Sequence, residues 1–432
     1  MQLDKVTRDA IINLVKKEVV PAVGCTEPAA VALCVAKATE LLGQTPEAIN
    51  VRLSTNILKN AMGVGIPGTG MIGLPIAIAL GALIGKSEYG LEVLQDVTPE
   101  AVEKGKEYIA NHPIDIKLFE NEPSNLHIDV EVICDTDRVR ATISREHAKF
   151  IYLEKNRSVI FNEEPETPSA SAANESAETD LKLDLHTIWD FATESPIEEL
   201  QFILHARDLN KAAAEVALNK EYGHSLGSTV RNHGAALFGD TPVAHIISWT
   251  SAACDARMGG APVPVMSNSG SGNQGICATM PVVSYAEDIH ADEEHLVRAL
   301  MLSHLTSIYI KQTLGRLSAL CGCVVASTGA SSALVYLMGG DFGKVSAAVK
   351  NMVANLTGMI CDGAKPSCAM KISSGVSTAA MSAMMAMEGH CVSSAEGIID
   401  EDVDRTIRNL TSIGRDAMRA TDLYVLDIMT CK

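Results

Sequence analysis

The sequence predicts an α+β protein: an N-terminal α+β domain carrying an antiparallel meander, followed by an all-helical domain. Three observations lead there. Runs 114–119, 126–134, 138–144 and 150–155 alternate apolar and polar residues as half-buried strands do. Residues 162–180 are polar and contain no large apolar side chain, the composition of a linker or exposed loop. Beyond residue 184 the apolar spacing is helical almost throughout, in a chain with only 4% aromatics and abundant Ala, Gly and Met, which lets helices pack closely. The expected boundaries are 1–160 for the α+β domain, 161–183 for the linker and 184–432 for the helical domain.

Taken in order, residues 5–42 read as a helix, a turn and a second helix. The break falls over residues 20–28, where Pro28 suits a first helical turn. Residues 49–55 alternate like a strand, with Ile49, Val51 and Leu53 on one face. The stretch 62–84 has no charge, but Gly63, Gly65, Pro67, Gly68, Gly70, Gly73 and Pro75 make it a poor lipid-facing helix. It reads instead as a glycine-rich turn feeding a buried helix over 74–84. Asp135-Thr-Asp137 supplies a turn between two of the meander strands. In the C-terminal half, glycine-rich loops at 258–275 and 362–377 interrupt the helices.

Composition excludes several classes of function. Asp and Glu number 53 against 35 Lys and Arg, a net charge of -18, which repels phosphate backbones and anionic lipid heads. Neither a nucleic-acid partner nor a membrane is expected. Residues 1–20 show no secretory pattern, so the expected location is cytoplasmic. The 11 cysteines are then read as metal-binding or catalytic rather than as a disulfide framework. Eight of them fall after residue 250. A homo-oligomer is expected from the apolar, small-residue-rich helical half.

Four motifs carry chemistry. In Gly24-Cys-Thr-Glu-Pro28, Cys25 stands just before a helix start, where the dipole and the open amides favour thiolate. The alternative is a buried cysteine with Thr26 capping and Glu27 complementing the dipole. Gly63-Val-Gly-Ile-Pro-Gly68 spells G-x-G-x-x-G, but Pro67 interrupts the turn and no βαβ unit follows, so a nicotinamide cofactor is not expected. A pocket-lining loop with Asn56 and Lys59 as polar contacts fits better. Ser267, Asn268, Ser269 and Gly270 open a small polar loop ending at Gly275, suited to an anion such as a substrate carboxylate. The fourth motif is Cys321-Gly-Cys323 with Cys361-Asp-Gly-Ala-Lys-Pro-Ser-Cys368, three or four thiols from two loops, suited to an iron–sulfur cluster or a zinc ion.

Together these segments resemble the L-cysteine desulfidases, a family related through its helical domain to the alpha domain of iron–sulfur L-serine dehydratases. The resemblance covers nearly the whole chain. It implies a helical domain of the serine dehydratase alpha type and a [4Fe–4S] cluster, readily lost in aerobic preparation, bound by three cysteines. Cys361 and Cys368 map onto two of them. The third is Cys323 or, alternatively, Cys321; Cys323 is preferred because the small residues after Gly322-Cys323 look like the dehydratase segment. Cys25 is implied as fourth ligand or as the base that takes the α-proton, with Glu27 and Lys59 as further catalytic candidates. The implied reaction is β-elimination from a small amino acid: L-cysteine gives pyruvate, ammonia and sulfide.

Six residues separate Cys361 from Cys368, fewer than in the dehydratases, which favours cysteine over serine as substrate. Cys431 is either a cap on the open iron or a tail thiol. Two rival classes stay open: a metal-free or zinc-bound binding protein of the same fold, and a pyridoxal phosphate lyase using Lys59, Lys365 or Lys371. Neither His224 nor His233 lies in a metal-ligand pattern.

Overall fold

The computed structural model describes residues 3–119, 124, 126–163, 181, 183–315 and 318–431. They fall into two compact units. One comprises the chain up to Val23, Leu181–Asp362 and Pro366–Val425; the other comprises residues 24–180, Gly363–Lys365 and the chain from Leu426. The first helix therefore belongs to the helical unit, not to the α+β domain expected over 1–160. Most of the expected linker, 164–180 and 182, lies outside the described residues.

The strands are β1 (Pro21–Val23), β2 (Ala48–Leu53), β3 (Ile114–Leu118), β4 (His127–Cys134), β5 (Asp137–Ser144), β6 (Phe150–Lys155), β7 (Ser158–Asn162) and β8 (Pro264–Met266). In the α+β unit they form one six-stranded sheet in the order β3-β2-β4-β5-β6-β7. Of the four runs expected as an antiparallel meander, β4, β5 and β6 form one, which β7 extends, whereas the first run, β3, lies apart from it and pairs parallel to β2. A parallel neighbour needs a crossover, and the helices between residues 54 and 111 supply it.

Alternation sets which face is buried. Ile128, Val130 and Val132 of β4 stand opposite Ile143, Ala141 and Val139 of β5, all at most 1% exposed. Asp129 on the other face accepts from Arg140 Nε at 2.9 Å. The helix Thr26–Leu42 covers the apolar face and is buried almost continuously from Ala30 to Ala38, ending at Gly43 with φ +85°. The helix Leu74–Leu83 packs on it at Gly81, where a Cβ would stand 2.7 Å from the Ala32 carbonyl oxygen. Only glycine permits that approach.

In the helical unit, Glu293–Leu314 is buried around most of its circumference, the signature of a central helix. Gly322–Leu337 crosses it closely at Gly329, where a Cβ would meet the Ser303 carbonyl oxygen at 2.3 Å. Several buried hydroxyls are satisfied locally: Ser307 donates to Ser303 O at 2.8 Å, and Thr328 to Val324 O at 2.8 Å. This unit is not all-helical, because β1 and β8 pair antiparallel within it. Among the described residues no helix is long and apolar enough to cross a membrane.

Candidate functional site

Cys321 and Cys361 are set side by side by backbone pairing. Leu320 and Ile360 form an antiparallel bridge. Cys321 N–H donates to Met359 O at 3.0 Å and Cys361 N–H to Ala319 O at 2.7 Å. Cys321 then caps the helix Gly322–Leu337, and Cys368 opens the helix Cys368–Met387. Cys321, Cys361 and Cys368 are half-buried. Burial, reinforced by the neighbouring Cys323, Cys361 and Cys368, raises the Cys321 pKa well above a thiol's ordinary value.

Cys323 behaves differently. It is 6% exposed, and its Sγ donates to the Lys371 carbonyl at 3.2 Å. A hydrogen bond with Cys277, followed by burial, raises its pKa well above the ordinary value. Gly375 presses on it, since a Cβ there would lie 2.3 Å from the sulfur. Cys254 is wholly buried nearby, its pKa raised by burial and then by Cys368. Lys371 puts a cation beside the half-buried thiols: its ammonium donates to Ile360 O at 2.6 Å and to the Asp362 carboxylate. Burial lowers its pKa, but Asp362, Cys321 and Cys361 outweigh that and leave it raised.

Among the described residues no three His, Cys, Asp or Glu side chains are grouped as a single metal ion requires. A cubane cluster asks for something different, because its irons occupy separate corners and its thiolates need not converge on one point. The donor set of half-buried thiols, without imidazole or carboxylate ligands, is the soft set such clusters take. By donor chemistry the residues suit such a cluster, and an all-thiol set is one that zinc takes as well.

The polar loop 267–275 turns most of its groups inward. Ser267 Oγ donates to Val20 O at 2.6 Å, and Ser269 Oγ to Asn268 Oδ1 at 2.9 Å. Asn268 and Ser271 exchange backbone hydrogen bonds across a turn whose central residues, Ser269 and Gly270, have φ of +49° and +78°. Asn268 Nδ2 donates to His304 Nδ1 at 3.1 Å, which makes Nε2 the protonated nitrogen, 3.0 Å from Thr279 Oγ1. Burial drives the His304 pKa down to about 3. The groups expected to receive a carboxylate are therefore largely engaged in holding the loop.

The α+β unit assembles the other candidates. Cys25 caps the helix Thr26–Leu42 and is 3% exposed. Gly24, with φ +65°, lies against the glycine loop: a Cβ would fall 2.5 Å from Pro67 Cγ. Glu27 accepts from Thr26 Oγ1 at 3.2 Å and from Asn60 Nδ2 at 3.3 Å, tying this turn to the helix Thr55–Ala61. Asn56 and Lys59 on that helix are 7% and 1% exposed, and Asn56 Oδ1 has no hydrogen-bond partner among the described residues. Gly363 fits against Lys59 O, where a Cβ would come within 2.3 Å. Cys431 is exposed and donates to Asp427 Oδ1 at 3.6 Å.

Comparisons with known proteins give a consistent result. Residues 88–427 match the family model described as serine dehydratase alpha chain. The chain is 61% identical over 430 residues to a protein of Phocaeicola vulgatus, covering 99% of each. It is 60% identical over 426 residues to one of Bacteroides thetaiotaomicron, covering 98% of each. With a protein of Porphyromonas gingivalis it shares 52% identity over 433 residues, covering 100% of each. All three are called UPF0597 protein.

Proposed function

The chain belongs to the serine dehydratase alpha-chain family, and on that premise we propose that it is an iron–sulfur lyase eliminating the β-substituent of a small amino acid, L-cysteine first. The observation that carries this is the pairing of two loops that presents Cys321, Cys361 and Cys368 half-buried and in mutual electrostatic reach. We assign these three as cluster ligands, taking Cys321 over Cys323, whose sulfur is already engaged with Lys371 O. When bound, the cluster supplies a Lewis acid for the departing sulfide or hydroxide. Ligand thiols give up their protons on binding, Cys321 against the upward push of burial on its pKa, and the Lys371 ammonium offsets the accumulating negative charge. Cys25 is proposed to move the α-proton; Glu27 and Lys59 are proposed to position and balance it.

The family description itself supports L-serine as a second substrate. A reducing cytoplasm suits a chain in which none of the eleven cysteines is joined in a disulfide. Exposed methionines along one helix, Met370, Met381, Met384 and Met385, support the homo-oligomer. The test is pyruvate and sulfide release from L-cysteine by anaerobically reconstituted protein, with L-serine in parallel. Iron-loaded protein that releases pyruvate from neither would overturn the proposal.

A further inference from the structure

We propose that Arg257, held by Asn273, and Gln274 at the start of the helix Gly272–Asp288 bind the carboxylate and ammonium of the amino-acid substrate. The inference rests on the lyase reading for its substrate class, but its geometry stands alone.

Arg257 lies near the end of the helix Pro242–Met258 and is 5% exposed. Among the described residues its guanidinium makes one hydrogen bond, from Nη1 to Asn273 Oδ1 at 3.1 Å. Nε is buried without a partner, and among the described residues no salt bridge joins a carboxylate to the group. A buried, unpaired cation is unfavourable unless an anion completes it. The side chain lies against Gly272, where a Cβ would come 2.2 Å from Nε and 2.8 Å from Cζ. Any larger residue would displace the guanidinium from the helix start.

That start belongs to a 17-residue helix. Ser271 Oγ caps the Gln274 amide at 3.3 Å, which leaves the Gly272 and Asn273 amides without an intrahelical acceptor, and the dipole favours negative charge. Gln274 adds the second unsatisfied group, a buried Oε1 without a partner. An unpaired cation beside an unpaired acceptor matches a zwitterion: the guanidinium takes the carboxylate in a two-point contact, and the amide oxygen accepts from the ammonium. A single cation in a chain of net charge -18 suits a monoanion rather than a phosphate ester.

The site adjoins the thiols. A Cβ on Gly322, between Cys321 and Cys323, would stand 3.0 Å from Gln274 Cγ and 3.4 Å from its Oε1. Cys254 Sγ donates to Asn273 Oδ1 at 3.6 Å. A substrate held by Arg257 thus has its head group beside the loop that carries Cys321.

The test uses two probes that cannot undergo elimination: L-alanine, which has both head groups, and ethylamine, which lacks the carboxylate. Calorimetric titration of reconstituted wild type should detect L-alanine and not ethylamine. Arg257→Gln should weaken L-alanine binding about 30-fold or more, and Arg257→Lys by less, because it keeps the charge and loses the fork. Without ligand, Arg257→Gln should melt no lower than wild type, since it removes an unpaired buried charge. Equal affinity in Arg257→Gln, equal binding of ethylamine, or no binding of L-alanine by wild type would overturn the site. If Arg257→Gln does not fold, Arg257→Lys and the wild-type probe comparison decide. Binding of L-alanine that depends on Arg257, in protein that eliminates nothing from cysteine or serine, would overturn the lyase reading and leave the site standing.

Discussion

The turn 267–271 and the paired cysteine loops both carry small polar residues beside glycine, yet they spend those residues in opposite ways. Between Ser267 and Ser271 the hydroxyls, the Asn268 amide and the turn amides bond to one another or to Val20, Glu18 and His304. At Cys321 and Cys361 the backbone does the pairing and leaves the thiols half-exposed. A polar composition therefore does not mark a site. The sites proposed above lie instead where polar chemistry is left unspent, at Cys321 and Cys361 and at Arg257 Nε and Gln274 Oε1.

The contrast breaks most sharply at Cys361. Cys361→Ala should lose its iron on reconstitution and about a thousandfold of its turnover, the several kcal/mol a metal Lewis acid supplies. Its denaturant midpoint should stay near that of the metal-free wild type. The polar loop should answer the other way, in stability and not in iron. His304, whose pKa burial drives down to about 3, stays neutral in the folded chain while the unfolded chain takes up a proton below about pH 6.5. The stability it confers is complete above that pH and falls by about 1.4 kcal/mol per unit on acidification towards pH 3. The stability gap between wild type and His304→Gln should therefore narrow by about 3 kcal/mol from pH 7 to pH 4, read from urea midpoints.

A smaller effect is expected at Gly275, where a Cβ would stand 1.9 Å from the Met266 carbonyl oxygen. Gly275→Ala should cost about 2 kcal/mol of unfolding free energy by forcing the backbones apart. Ser269→Ala removes one half-buried hydroxyl bonded to its neighbour and should cost only about 0.5 kcal/mol, with iron content and turnover unchanged. A large loss of turnover there would restore the loop as the carboxylate site.

Much of the sheet was legible because local alternation is a strong signal: β4, β5 and β6 fall within a residue or so of the alternating runs. The parallel pairing of β3 with β2 was not, since period-2 alternation does not say which way a neighbour runs. β7 is exposed along its whole length and so offered no alternation; Asn156 and Arg157, both at positive φ in the preceding turn, were its one local sign. β1 and β8 have three residues each, too few to show any period.

The spacing of the cysteines did not reveal the difference in surroundings between Cys321 and Cys323. It comes from helix phase: Cys321 stands before the first turn, whereas Cys323 lies inside it against Gly375 and Cys277. Arg257 was missed for a related reason. One arginine near the end of an apolar helix looks like a solvated C-terminal charge, which is its usual role. Only its burial against Gly272 sets it apart.

The most direct test of the ligand assignment is iron content after anaerobic reconstitution, measured side by side for Cys321→Ala and Cys323→Ala. The account predicts that Cys321→Ala falls to a small fraction of wild-type iron while Cys323→Ala keeps most of it. The reverse result would contradict the assignment and put Cys323 among the ligands.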